Sequence, residues 1–274
     1  MSTLKMSFFL YAILCCMSSS GQLNKLIGTW INPNQDLIQI RDTGDLKNNN
    51  YLSNSKFKGE NFELYIHADT LSFQKRYYSS ATNYKKLYID RYDLILLEQT
   101  DTSITVKPSS KYSKSFFNNK SCITFTKQEF NLDKSFIFEK IIYHTTRCFG
   151  SCPIIDLEIN NKRNIYFNAE FTKVGSLYQT DSIRSGQFVG NLNDSLFNQL
   201  INILQTSNLR TLTFPEVNGA DAPVTTLIIY YNGQRKYLKS MFPPVIAEKL
   251  IEFLYLINTR MKLERTTEKR IIEE

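Results

Sequence analysis

The sequence predicts two domains: an N-terminal all-β domain, a small antiparallel barrel or sandwich, and a C-terminal α+β domain with an antiparallel sheet. The chain has 274 residues, which is enough for two domains. It contains 16 Tyr and 19 Phe, residue types that favour strands. Helical periodicity is confined to the second half of the chain. The content of 42% apolar and 22% charged residues is typical of a globular protein and excludes a disordered or membrane-embedded chain.

Residues 1–21 are predicted to be a signal peptide. They carry one charge, on Lys5, followed by the apolar run 8–17 and the small residues 18–21. This run is too short to span a bilayer, which needs about 20 apolar residues. We therefore expect cleavage near Ser20 or Gly21 and an exported protein, periplasmic or secreted, without a transmembrane helix in the mature chain.

An alternative for the same segment is a lipid anchor. Cys15 and Cys16 follow Leu14 at the end of the apolar run, which loosely resembles a bacterial lipoprotein signal. The usual signal has a small residue before the modified cysteine, whereas here that residue is Leu14 or Cys15. This interpretation predicts an outer-membrane lipoprotein.

Residues 22–131 are predicted to form the all-β domain. Polar turn-forming stretches separate short apolar runs, and no helical pattern of useful length occurs. The predicted strands are residues 26–30, 37–40, 62–66, 71–78, 86–98, 103–107 and 122–126. The pattern Leu26-x-Gly28-x-Trp30 resembles the first strand of lipocalin-like domains. That resemblance implies a close approach at Gly28, a Trp30 side chain that plugs one barrel end, and a carrier of small apolar ligands as one functional hypothesis.

Residues 132–274 are predicted to form the α+β domain, in the order ββββ-α-ββ-α with both helices on one face of the sheet. Residues 135–143, 155–159 and 165–171 have strand patterns, and a turn at residues 160–163 joins the last two. Asn232-Gly233 is typical of a two-residue hairpin turn between residues 225–231 and 234–241. Two helices are predicted from apolar periodicity: one after Asn193 or Asp194 with Leu196, Leu200, Ile203 and Leu204 inward, and one after Pro243-Pro244 with Ile246, Leu250, Phe253, Leu254, Ile257 and Met261 inward.

The most specific motif is Arg147-Cys148-Phe149-Gly150-Ser151-Cys152-Pro153, between the first two strands of the second domain. Together with Asp221-Ala222-Pro223 and the Asn232-Gly233 turn, it resembles a bacterial domain of unknown function that occurs in exported proteins and is marked by Cys-Phe-Gly-x-Cys-Pro. The resemblance covers about 120 residues and implies an architecture without an assigned activity. The residues that match are Cys148, Phe149, Gly150, Cys152, Pro153, Asp221 and Pro223.

Three hypotheses account for the cysteine pair. Outside the cytoplasm, Cys148 and Cys152 are expected to form a structural disulfide, with Cys122 unpaired. Alternatively, His144, Cys148, Cys152 and Asp156 recur at every fourth position and offer donor atoms for zinc or copper. The third hypothesis is thiol redox chemistry, because Cys-x-x-x-Cys-Pro resembles the motif of copper-delivery proteins with a thioredoxin-like fold.

Other functional signals are weak. No motif for a serine hydrolase, zinc protease or nucleotide site is found, and an enzyme would have only His67, His144 and Asp221 as candidate bases. The net charge is +7, but the basic residues are scattered among acids, so no nucleic-acid partner is predicted. In particular, residues 260–274 carry five basic and four acidic side chains and are interpreted as a solvated surface. The predicted function is a non-catalytic cell-envelope protein, without a cofactor, that binds an unidentified protein or supports an assembly.

Overall fold

The computed structural model describes residues 25–41, 49–54, 59–176, 179–216, 219 and 221–273. The predicted signal peptide, with Cys15 and Cys16, lies outside the described residues. The chain divides between Phe130 and Asn131 into two compact units, one residue from the boundary expected from the sequence. Each unit has its own hydrophobic core. Within the described ranges, no helix is both long enough and apolar enough to cross a membrane.

The first unit is a closed antiparallel barrel of eight strands. Each strand pairs with the next, and β1 closes the barrel against β8 through Trp30 opposite Lys127. The sequence predicted seven of these strands and missed β3, because its first residue ends a run of three turn-forming asparagines. The strands are β1 Gly28–Ile31, β2 Leu37–Ile40, β3 Asn50–Ser53, β4 Glu60–His67, β5 Thr70–Tyr78, β6 Leu87–Gln99, β7 Ser103–Pro108 and β8 Ile123–Lys127.

Trp30 lies in the barrel core, which is packed with aromatic side chains. Its ring is fully buried, and its Nε1–H donates to the Leu26 carbonyl oxygen at 2.7 Å. The ring pairs Phe62–Phe73 and Phe117–Phe125 meet edge to face, with centroids 6.4 and 6.2 Å apart. Apolar side chains in mutual contact therefore occupy the described interior of the barrel.

A short helix, α1 Lys111–Phe116, lies between β7 and β8, although the sequence predicted none there. The Ser110 hydroxyl accepts a hydrogen bond from the Ser113 backbone N–H, and the Ser113 hydroxyl accepts one from the Ser110 N–H. This reciprocal capping stabilises the first turn of the six-residue helix. A helix of six residues is too short to produce a detectable apolar period.

The second unit is a seven-stranded antiparallel sheet in the spatial order β14-β13-β9-β10-β11-β12-β15. Two hairpins occur where the sequence predicts them. In the second, Asn232 and Gly233 have φ of 52° and 70°, as a type I′ turn requires. The strands are β9 Phe138–Thr145, β10 Ile154–Asn160, β11 Asn164–Glu170, β12 Gly186–Asn191, β13 Thr225–Tyr231, β14 Gln234–Ser240 and β15 Glu264–Arg265.

The helices of this unit share one core with one face of the sheet. Helix α2, Asp194–Thr206, is capped by Asn193, whose Oδ1 accepts from the Leu196 N–H at 2.9 Å. The last predicted helix is a 3₁₀ turn, Val245–Ala247, followed by α3 Glu248–Tyr255 and α4 Ile257–Arg260. The observed order is therefore longer than ββββ-α-ββ-α. It adds a break at Leu256 and the short strand β15, both too short to leave a pattern in the sequence.

Candidate functional site

Cys148 and Cys152 form a disulfide in the connection between β9 and β10. Their Cα atoms are 5.6 Å apart, within the usual range for a disulfide. The predicted pairing is confirmed. Both residues lie in the loop, however, and not opposite each other on the two strands, because β9 ends at Thr145 and β10 begins at Ile154.

Backbone hydrogen bonds fix this loop to the segment before β13. The Phe149 N–H donates to the Asp221 carbonyl oxygen at 3.2 Å. The Thr146 N–H donates to the Val224 carbonyl oxygen at 3.0 Å, and the Val224 N–H donates to the Thr146 hydroxyl at 2.9 Å. Asp221 thus contributes its main-chain carbonyl, and Pro223 is half-buried beside it.

Hydrogen bonds also hold the end of the loop at Pro153, next to β10. Pro153 is buried, and its carbonyl oxygen accepts from the Thr145 hydroxyl at 2.9 Å, while that hydroxyl accepts from the Ile155 N–H at 3.1 Å. Gly150 has no special backbone requirement, because a Cβ there would meet only Cys148 Sγ at 3.5 Å, an ordinary contact. The loop is therefore held at both ends and closed covalently.

Phe149 projects from this fixed loop with 86% of its surface exposed. The neighbouring loops leave the same end of the sheet. This follows from the cross-strand neighbours at that end, which are, in order, Thr225, Thr145, Ile155, Ala169 and Gly186. We call these loops the rim: residues 146–153, 171–176, 179–185, 219, 221–224 and 241–244.

The rim exposes further large apolar side chains. Val174 is 96%, Ile183 84% and Phe242 53% exposed. Side-chain hydrogen bonds join the loops: the Thr172 hydroxyl donates to the Ser151 carbonyl oxygen at 3.4 Å, and Arg147 forms an ion pair with Glu170 at 2.6 Å. An exposed apolar group carried by several connected loops is typical of an interaction surface.

The four residues of the metal hypothesis form two separate pairs, a disulfide and a contact between a histidine and a carboxylate. The sulfur atoms of Cys148 and Cys152 are bonded to each other. The Nδ1 atom of His144 lies 2.8 Å from Asp156 Oδ1. Spacing by four residues brings side chains together on a helix, whereas β9 and β10 are strands. Among the described residues, no group of three or more His, Cys, Asp or Glu side chains is arranged to hold a metal ion.

The remaining candidates are also placed by the structure. Strand β10 follows Pro153 directly, so the cysteine pair does not lie at a helix N-terminus, the position that activates thioredoxin-like thiols. Cys122 is a free, exposed cysteine immediately before β8, as predicted. His67 is exposed at the end of β4, in the other unit from His144 and Asp221.

The second face of the sheet, opposite the helices, carries a site that the sequence analysis missed. Residues 266–273, which we call the C-terminal strap, lie across this face; residues 267–271 are exposed, as predicted, but the contacts of the strap with the sheet were not predicted. The Thr266 N–H donates to the Gln187 carbonyl oxygen at 3.0 Å, and the Arg270 N–H donates to the Tyr166 hydroxyl at 3.2 Å. The strap reaches His144, whose Nε2 lies 2.7 Å from the Glu273 carbonyl oxygen.

The strap ends in a socket for the Glu273 carboxylate. The Tyr230 hydroxyl lies 2.6 Å from Oε2, Arg235 Nε lies 2.8 Å from Oε1, and Lys140 Nζ lies 3.7 Å from Oε2. The Tyr230 hydrogen bond, with help from Arg235 and Lys140, lowers the pKa of the Glu273 carboxyl. The one signal available in the sequence was the alternation of Asp156 and Glu158 with Ile155, Leu157 and Ile159, which places the two acids on this face.

The family model of a domain of unknown function, DUF6438, matches residues 139–257. The match begins in β9 and ends at Ile257, so it includes the disulfide loop and leaves out the barrel and the strap. No curated protein matches the chain.

Proposed function

We propose that this is an exported, non-catalytic binding protein of the cell envelope, and that its rim presents Phe149 to a protein partner. The observation that supports this most strongly is the 86% exposure of Phe149 on a loop that a disulfide and a backbone hydrogen bond hold in place. Single exposed apolar residues are common on protein surfaces. An exposed aromatic ring on a rim that also exposes Val174 and Ile183 is more typical of a binding site.

The fixed geometry of the loop favours tight binding. A flexible loop loses conformational freedom when a partner orders it, and that loss weakens the complex. Here the loop is closed over four residue steps and bonded to Asp221 before any partner arrives. A rigid aromatic side chain that enters a pocket of the partner is the usual form of an interface hot spot.

The proposed location is supported by two features of the chain. The first 21 residues have the composition of a signal peptide, and the Cys148–Cys152 disulfide is a type of bond that persists in oxidising compartments. We also infer that Cys-Phe-Gly-x-Cys-Pro is a mark of the matched domain, because the motif lies inside residues 139–257. The closed barrel fits the lipocalin-like resemblance in strand number, but its aromatic interior gives no support to ligand carriage.

Intact mass of the protein isolated from the producing cell tests the location. The proposal predicts a chain that begins near Ser20 or Gly21 and is found outside the cytoplasm. A chain that begins at Cys15 or Cys16 with added acyl mass would place the protein on a membrane as a lipoprotein and remain within the proposal. An uncleaved chain found in the cytoplasm would contradict it.

Photo-crosslinking tests the binding surface. A photoreactive phenylalanine analogue at Phe149 is compared with the same analogue at Tyr255, an aromatic residue of α3 that is 40% exposed. We expect a discrete protein adduct from position 149 and none from position 255. The adduct is then identified, and its unmodified protein is purified for direct binding measurements. Equal adducts from both positions, or none from either, would contradict the proposal.

A further inference from the structure

The second face of the sheet buries a carboxylate whose close ionic partner comes from the strap. The Glu158 side chain is only 8% exposed, and its Oε1 lies 2.8 Å from Arg270 Nη2. The other ion pair of Glu158, with Lys140, spans 4.0 Å. A buried charge without a close partner is strongly destabilising. The face is therefore built to receive a cation at this point.

The same face binds the carboxylate of Glu273, three residues after Arg270 in the strap. Arg235, Lys140 and Tyr230 surround the Glu273 carboxylate, and the Lys140 ammonium also lies 4.6 Å from the centre of the Tyr230 ring. Two cations and a phenol that converge on one point recognise a carboxylate through charge-assisted hydrogen bonds. Three extended residues span about 10 Å, which sets the spacing between the two sockets.

Beside the two sockets, groups of the sheet also contact the main chain of the strap. The Tyr166 hydroxyl donates to the Glu268 carbonyl oxygen at 3.4 Å and accepts from the Arg270 N–H at 3.2 Å. The His144 ring, oriented by Asp156, contacts the Glu273 carbonyl oxygen. Main-chain recognition of this kind accepts any extended segment, and the two sockets supply the selectivity.

Much of the strap is exposed to solvent. Ile271 is 99% exposed, and the Arg270 and Glu273 side chains remain 48% and 35% exposed. At this exposure the ion pairs of Glu273 with Arg235 and Lys140 contribute little free energy each, whereas Arg270 has a buried partner in Glu158. The strap stays bound largely because its covalent attachment gives it a high effective concentration, so a competing segment in a partner protein can replace it.

We propose that the second face of the sheet is a binding site for an extended segment of a partner protein with the pattern Arg-x-x-Glu, and that the strap is its built-in competitor. The arginine of the segment pairs with Glu158, and the glutamate occupies the socket of Arg235, Lys140 and Tyr230. This site is separate from the rim and does not depend on the function proposed for Phe149.

A labelled peptide with the sequence of residues 265–274 tests the site directly. We expect saturable binding to the chain that ends at Arg265 and at least tenfold weaker binding to the full-length chain, in which the strap competes. The matched control peptide exchanges the two key charges, with Arg270→Glu and Glu273→Arg, and should not bind. The proposal is overturned if the shortened chain binds neither peptide or both peptides equally well.

Point variants of the full-length chain keep the proposal falsifiable if the shortened chain does not fold. Glu273→Gln loosens the strap and leaves the face intact, so it should bind the peptide more tightly than the unchanged chain. Arg235→Ala removes part of the socket and should abolish peptide binding, whereas Lys239→Ala, on the same strand and face, should not. Equal peptide affinities for the unchanged full-length chain and the three variants would overturn the assignment. A dimer that forms by exchange of straps, and is lost when the strap is deleted, would also overturn it.

Discussion

At the scale of single residues, the Cys148–Cys152 disulfide should stabilise the second unit through its loop. A bond that closes so short a loop removes enough freedom from the unfolded chain to contribute about 2 kcal/mol. We expect the double variant Cys148→Ser with Cys152→Ser to lose about that much free energy of unfolding in urea denaturation. Cys122→Ser is the control and should change stability little, since Cys122 is free and exposed. A double variant as stable as the unchanged protein would mean that the bond is not structural.

Gly233 and Gly150 differ in why a glycine occupies the position. Gly233 is required by its positive φ, whereas Gly150 belongs to the motif but has an ordinary backbone conformation. Gly233 has φ of 70°, so Gly233→Ala forces a left-handed alanine and should cost about 1–2 kcal/mol. Gly150→Ala adds a methyl group only 3.5 Å from Cys148 Sγ and should cost less than about 0.5 kcal/mol. Thermal denaturation of the two variants measures the difference. A large loss from Gly150→Ala alone would show that the motif glycine has a backbone role that the structure does not contain.

At the scale of elements, the strap should loosen in acid. The pKa of Glu273 is lowered in the folded chain from its usual value of 4.5, so its contact contributes fully above that value. The contribution is lost as the pH falls through the lowered pKa, because the carboxyl then takes up a proton and its attraction to Arg235 and Lys140 ends. The other groups that face Glu273 are the hydroxyl of Tyr230 and the ring of His144.

Hydrogen exchange of residues 266–273, corrected for the intrinsic effect of pH, measures this change. We expect constant protection from neutral pH down to about pH 5 and a progressive loss below it. The variant Glu273→Gln controls for general acid effects, since lowered carboxyl pKa values at Asp133 and Asp181 also weaken the fold in acid. Protection that is equally high at pH 3 and pH 7 would refute the role of the Glu273 carboxylate.

Elements with a strong local pattern could be predicted from the sequence, and those without one could not. Alternation located the β10–β11 hairpin, and Asn232-Gly233 located the turn of the next hairpin. The short strand β3 and helix α1 leave no detectable period. The strap was missed for a different reason: its charges are paired with Glu158 and Arg235, which are far away in sequence, so the segment has the composition of a solvated surface.

At the scale of the whole molecule, the two units have separate hydrophobic cores and should respond separately to core truncation. Leu250→Ala, in the second core, should cost about 2–5 kcal/mol and lower the melting temperature of that unit only. Trp30→Ala, in the barrel core, should cost about 3–5 kcal/mol and affect the barrel only. Scanning calorimetry of both variants should therefore show one transition displaced in each. A single transition that moves equally in both variants would contradict this independence.

The candidate site could be predicted in part. The cysteine pairing followed from spacing and compartment, and Phe149 was identified as a motif residue. Its exposure could not be predicted, because Phe is usually buried and only the loop geometry turns this ring outward. The location of Phe149, Val174 and Ile183 at the same end of the sheet depends on the pairing of four strands, which a single sequence does not specify.

The most direct test of the central claim, that a disulfide-closed loop presents Phe149 to a partner, is the affinity of the crosslinked partner for three purified proteins. Truncation of a hot-spot aromatic costs about 2 kcal/mol or more, so Phe149→Ala should weaken binding by roughly 30-fold. The double variant Cys148→Ser with Cys152→Ser, which keeps Phe149 but frees the loop, should weaken it by a smaller factor through a faster dissociation rate. If the unchanged protein, the alanine variant and the double variant all bind the partner with the same dissociation constant, the account is wrong.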